Sequence, residues 1–129
     1  MIEHHSREFV EALHAEQLRL HGGLPGIRDE GMLESALARP RQKEIYGNPD
    51  LCELAAAYLF GIAKNHPFVD GNKRTAFATA DIFLYLNGLS VETEPEPIIN
   101  LVLKVAAGEI NEEGATIFFR DHTVPVESL

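Results

Sequence analysis

Between Leu51 and Gly88 the chain carries two long apolar segments broken once by a short polar stretch, and this pattern constrains its fold more than any other feature. In the first segment Leu51, Leu54, Ala55, Tyr58, Leu59 and Ile62 recur at i, i+3, i+4, i+7, i+8 and i+11. That is the stripe of an amphipathic helix. Asn48-Pro49 reads as its start, a capping residue before a proline in the first helical position. The helix stops near Asn65-His66, because Pro67 follows. The second segment predicts a helix from about Asn72 to Asn87, stopped by Gly88. Its apolar residues, among them Ala76, Phe77, Ala80, Phe83 and Leu84, fall on nearly every side, so it is expected to be enclosed by other helices.

The flanking chain keeps the same period. Ser6 is placed to cap a helix running to about His21, which Gly22-Gly23 ends. Asp29 or Glu30 starts another, with Met32, Leu33, Ala36 and Leu37 at helical spacing, and Pro40 is expected to end it. Residues 39–48 then read as a polar, basic connector: a solvated loop on composition, or a flap that touches a partner. Glu92 to Pro97 reads as a loop, followed by a helix ending at Gly108 and a last one from Asn111 to about Arg120. Leu89-Ser90-Val91 is the one short stretch that could pair as a strand. The expectation is an all-α single domain, residues 1–129, of about six helices.

Composition narrows the function. Eleven Lys and Arg against 20 Asp and Glu give a net charge of −9, which argues against a surface built to neutralise the phosphates of DNA or RNA. A small cationic pocket remains compatible with it. Cys52 is the single cysteine, so no intramolecular disulfide forms and a reducing compartment is expected. The polar start Met1-Ile2-Glu3-His4-His5 has no signal-peptide character. No apolar run approaches the roughly 20 residues that span a bilayer. A cytoplasmic protein without membrane or direct nucleic-acid contact is expected.

The polar stretch joining the two central helices, His66-Pro67-Phe68-Val69-Asp70-Gly71-Asn72-Lys73-Arg74, packs a base, an acid, an amide and two cations into nine residues. A core connector has no packing need for that set, and burying it unpaired is costly. His66 stands at a helix C-terminus, where the dipole favours proton uptake, and is placed to be a general base. Phe68 is the apolar plug of the loop. Gly71 permits positive φ, and Asn72 can cap the next helix. Lys73 and Arg74 add two charges to the free N–H groups of a helix N-terminus, an anion site suited to phosphate. A carboxylate beside an anion is repulsive unless a cation bridges them, so Asp70 reads as a Mg²⁺ ligand. Each residue alone has a plainer explanation: a surface histidine, a common Asp-Gly-Asn turn, solvated cations in a first helical turn. Together they read as phosphoryl or nucleotidyl transfer from a nucleotide to a hydroxyl.

The stretch HPFVDGNKRTA resembles the signature of Fic-fold proteins, most closely the death-on-curing (Doc) branch, and GIRDEGMLESALARP resembles the N-terminal part of Doc-type chains. The resemblance implies His66 as the base that takes the proton of the target's hydroxyl, Phe68 as the plug and Asp70 as the Mg²⁺ ligand. It implies that Gly71, Asn72, Lys73 and Arg74 hold the nucleotide's phosphates. AMP-transferring Fic enzymes usually carry Gly where this chain has Lys73 and a second Arg where it has Phe77. The Asn-Lys-Arg form is Doc-like, and the resemblance therefore implies a type II toxin. Such a toxin transfers the terminal phosphate of ATP to a Ser/Thr hydroxyl of a translation elongation factor and so arrests protein synthesis. AMP transfer is the alternative, and a noncatalytic helical interaction module is the alternative of another class. A ribonuclease toxin is weaker still, given the −9 charge and the lack of a second base.

Self-inhibited Fic proteins carry a Ser/Thr-x-x-x-Glu-Gly/Asn motif. The nearest strings here, at Ser90 and Thr123, continue with Pro95 and Ser128 instead. Restraint is expected in trans, from a cognate antitoxin whose disordered segment folds into a groove near the first helices and the 39–48 stretch. The remaining candidates read plainly. His14 and His21, about 10 Å apart on a helix, are expected on the surface. His4 and His5 are expected at a frayed terminus, His122 has no clustered ligand, and Cys52 reads as a small apolar filler. Arg28, Asp29 and Glu34 read as capping and surface pairing, or as a wall of the nucleotide or antitoxin site.

Overall fold

A computed structural model describes residues 1–129. The expected all-α architecture is what it shows. Six helices, α1 (Arg7–His21), α2 (Glu30–Tyr46), α3 (Leu51–Asn65), α4 (Asn72–Leu86), α5 (Pro95–Ala106) and α6 (Glu112–His122), pack around one core of 22 buried residues. No helix is long and apolar enough to cross a membrane. The stripe read from Leu51 makes α3 the central element, with Leu54, Ala55, Tyr58, Leu59 and Ile62 fully buried among α2, α4, α5 and α6. Leu89-Ser90-Val91 does pair: as β1 (Leu89–Val91) it runs antiparallel to β2 (Thr123–Pro125). Ser6 caps α1 as expected, its hydroxyl accepting from the Phe9 N–H at 3.1 Å.

Three boundaries move. The α3 cap is Asp50, not Asn48. Its carboxylate accepts from the Glu53 N–H while Glu53 accepts from the Asp50 N–H, a reciprocal box that satisfies two end donors. α5 begins at Pro95, inside the expected loop.

The largest correction concerns α2, which does not end before Pro40 but continues through it to Tyr46. A proline inside a helix costs about 3 kcal/mol in a lost hydrogen bond and a clash. Tertiary contacts along the second half offset it, and they use the residues read as a connector. Lys43 and Arg39 both pair with Glu112 of α6. Arg41 donates to the His5 carbonyl at 2.9 Å, and Arg39 lies over the Phe60 ring. The basic stretch is a helix face held in ion pairs rather than a free flap.

Glu44 anchors the start of the chain to the same helix. It receives His4 Nε2 at 2.7 Å, and the other ring nitrogen of His4 meets the Tyr58 hydroxyl at 3.0 Å. His5 is buried, bonded to the Thr79 carbonyl and, through its own N–H, to Tyr58. The terminus is tied down, not frayed.

Gly61 is the point where α3 touches α2. A Cβ there would lie 3.1 Å from Ala36 Cα, 3.2 Å from its Cβ and 3.3 Å from its carbonyl oxygen. Backbone in a helix cannot swing aside, so overpacking outweighs the helix preference that a side chain brings. Gly61→Val lowers stability by about 1–3 kcal/mol, read as a fall in the denaturation midpoint at unchanged m. An unchanged midpoint contradicts this reading of the contact.

Candidate active site

The loop between α3 and α4 turns twice through left-handed backbone, at His66 (φ 47°) and at Gly71 (φ 75°). Between these turns Phe68 points inward and is 1% exposed, as the plug reading required. Asn72 does not cap α4. Its side-chain oxygen accepts from the Phe68 N–H and its amide donates to the Phe68 carbonyl, both at 2.9 Å. The amide is thereby spent on closing the loop, and what Asn72 offers an anion is its backbone N–H.

Two further elements grip the loop. On α1, His14 is buried rather than on the surface. Its ring stacks on Phe68 with centroids 3.8 Å apart, and Nε2 donates to the Asp70 carbonyl at 2.8 Å. From the chain before α2, the N–H groups of Arg28 and Asp29 both donate to the Pro67 carbonyl, and Val69 donates to Gly26. The Arg28 side chain reaches the carbonyls of Asn65 and His66 at 2.8 and 2.6 Å. Sequence reasoning missed His14 as a positioning residue because its spacing to His21 says nothing of a contact 56 residues away. Asp29 and Glu34 follow the plain reading: Asp29 caps α2, and Glu34 pairs with Arg7.

Burial and nearby cations, Arg28 among them, also reverse an electrostatic expectation. The bare C-terminus of α3 favours an imidazolium, but the Arg28 guanidinium occupies those carbonyls. Burial, Lys73, Arg28 and Lys64 together hold His66 below the ordinary histidine value of 6.5. The imidazole is therefore uncharged at neutral pH, the form in which it accepts a proton. Its acid limb is expected below 6.5. Arg28→Met removes a positive charge and bares the helix end, so the limb of kcat/KM should move to higher pH. A loss of rate with an unmoved limb leaves Arg28 with a structural role only.

The other singled-out residues meet in an open cleft of about 730 Å³ between α1, α4 and α5. Asp70, Gly71, Asn72, Lys73 and Arg74 line one end; Phe77 and Ala78 of α4 and Ile98 and Val102 of α5 line the rest. Thus α4 is not enclosed on every side. His66 is not among the lining residues; it sits partly buried at the far end of the loop, close enough to Lys73 to feel its charge. Lys73 and Arg74 are exposed and join no ion pair. The N–H groups of Asn72, Lys73 and Arg74 have no backbone acceptor, and α4 has no side-chain cap. Three free donors, a helix dipole and two free cations form an anion site.

Asp70 is exposed, with one carboxylate oxygen accepting from Gly71 at 2.9 Å and the other from Leu24 at 3.2 Å. A Cβ at Gly23 (φ 123°) would lie 3.1 Å from that second oxygen, so the glycine that follows α1 also makes room for the acid. No group of three His, Cys, Asp or Glu could cage a metal. A lone, open carboxylate beside an anion site still fits Mg²⁺, which keeps its waters and binds through one or two carboxylates plus the oxygens of a bound anion. Cys52 is buried against Thr123, and burial raises its thiol pKa, in keeping with a filler.

Residues 4–84 match the Fic/DOC family. The chain is 40% identical over 111 residues to protein kinase Doc of Escherichia phage P1, covering 85% of this chain and 87% of the relative. The chain belongs to the Fic/Doc family. It is 47% identical over 76 residues to Toxin Doc of Mycolicibacterium smegmatis, an overlap of 57% of this chain and 58% of that one. The ADP-bound N-terminal Fic domain of a Bep effector protein from Bartonella quintana superposes with a TM-score of 0.53 at 21% identity, over 77% of this chain and 49% of that chain. That likeness shows a shared fold. The matched residues include the loop between α3 and α4, and this chain is a toxin of the Fic/Doc type, a family of transferases.

Proposed function

We propose that this toxin transfers the terminal phosphate of ATP to a Ser/Thr hydroxyl of a protein target, a translation elongation factor, in the cytoplasm. A cognate antitoxin restrains it. The observation that carries the reading is the anion site at the start of α4, with its two free cations, at the opposite end of one short loop from an uncharged histidine. The phage relative's designation as a protein kinase supports the same direction.

His66 takes the proton of the target's hydroxyl as its oxygen bonds to the terminal phosphorus. The bond from that phosphorus to the bridging oxygen breaks, and ADP leaves with the electron pair. Lys73, Arg74 and the free N–H groups of α4 stabilise the charge that gathers on the phosphate oxygens. His66 then releases its proton to solvent. Asp70 is the residue that would hold Mg²⁺, whose chemistry is to neutralise phosphate charge.

Phe77 weighs against AMP transfer. The position one turn after Arg74 is an apolar part of the cleft wall rather than a second guanidinium. The test is the fate of label from ATP. Terminal-phosphate label is expected on the target, with none from the α-phosphate. Label from the α-phosphate means AMP transfer, and no label with toxicity intact in the His66→Ala protein means a noncatalytic module.

A further inference from the structure

Beyond the loop and the start of α4, the cleft holds one further charge without a counterpart. Asp81 of α4 is partly buried and shares the cleft wall with Arg74, Phe77 and Ala78. The four lie at i, i+3, i+4 and i+7, one face of the helix, with Asp81 about 10 Å from Arg74 along the axis. No hydrogen bond reaches its carboxylate, no Lys or Arg pairs with it, and Glu92 nearby is of like charge. Burial and Glu92 raise its carboxyl above the usual range. Packing gives no reason for it, because the buried face of α4 is Ala76, Thr79, Ala80, Phe83 and Leu84. A carboxylate here also repels the polyanion that Lys73 and Arg74 attract. The fold supplies no partner for this half-buried carboxylate, which leaves that role open to the occupant of the cleft.

We propose that Asp81 is a specificity residue of the nucleotide site, accepting a hydrogen bond from a donor on the nucleoside half of the ligand, a ribose hydroxyl or a base amine. Along α4 the wall runs cation, apolar, acceptor. A nucleotide laid along it runs phosphate, then the apolar face of sugar and base, then hydroxyl or amine. The order matches over a length of about 10 Å. This inference rests on the nucleotide reading above and names which residue reads the nucleoside.

The test is calorimetric binding of ATP and of inorganic tripolyphosphate to the wild type and Asp81→Leu, with melting curves confirming the fold. Losing a hydrogen bond to a charged acceptor should weaken ATP about 10- to 100-fold. Tripolyphosphate, which has no donor to offer, should bind as well or more tightly once the repulsion is gone. Coulomb repulsion alone gives the opposite sign for ATP, so ATP binding that is unchanged or tighter in Asp81→Leu overturns the proposal. A parallel loss of both ligands overturns it too, as a general disturbance of the site.

For the wild type, 2′-deoxy-ATP, 3′-deoxy-ATP and purine riboside triphosphate, which lacks the exocyclic amine, identify the donor. The analogue that loses as much as Asp81→Leu names it, and equal binding of all of them to the wild type sinks the idea. If tripolyphosphate binds the wild type as well as ATP does, the phosphate site stands and the nucleoside contact falls. If neither binds, the nucleotide reading fails and takes this inference with it. Unchanged ATP affinity with altered binding of the protein target assigns Asp81 to a protein contact instead.

Discussion

His66→Ala is expected to lower target phosphorylation by about 10²- to 10⁴-fold, the usual contribution of a positioned general base, and to let cells that express it grow. The backbone complicates this variant. His66 closes α3 in the left-handed region, with its N–H bonded to the Ile62 carbonyl, and alanine pays roughly 1–2 kcal/mol there. His66→Asn is the cleaner probe, since asparagine tolerates that conformation but is no base at neutral pH. Both variants should lose the rate, and the asparagine variant should melt with the wild type. The residual rate of either should no longer show the acid limb, because the group that titrates is gone. Transfer at near the wild-type rate in His66→Asn would remove the histidine from the mechanism.

Phe68→Ala should have the largest effect on stability. The ring is buried, stacks on His14, and sits in the loop that Asn72 ties shut through the Phe68 backbone. Truncating a buried Phe costs about 3–5 kcal/mol, against a total of 5–15 kcal/mol for a typical domain. A fall in melting temperature of about 10–20 °C is expected. Activity should fall further than the folded fraction does, because His66 and Asp70 flank the ring on the same short loop. Phe68→Leu, which keeps most of the volume, should cost under about 1.5 kcal/mol. A loss under about 1 kcal/mol for the alanine variant would mean that the loop is held by its hydrogen bonds alone.

These two residues were legible in the sequence, and the reason is local. A proline after a helix, a histidine before it and an aromatic after it lie within three positions, and their places in the loop follow from the turn they make. The helices were legible for the same reason: apolar residues at three- and four-residue spacing report one buried face, whatever covers it. The cations at the start of α4 could be placed without any partner, since a helix N-terminus is an anion site on its own terms.

Elsewhere the outcome lay in contacts between distant positions. Pro40 breaks an isolated helix, yet α2 continues because Lys43 and Arg39 find Glu112 about 70 positions away. His4 and His5 are ordered by Tyr58 and Thr79, His14 by Phe68 and Asp70. The protonation preference of His66 shows the difference most sharply. The helix end by itself favours the charged ring, and burial, together with Lys73, Arg28 from 38 residues earlier in the chain and Lys64, favours the neutral one. Periodicity and capping are written into neighbouring residues and survive reading one segment at a time. Which cation lands on which carbonyl depends on how the segments dock, and docking is settled by the packing of the six helices around one core at once.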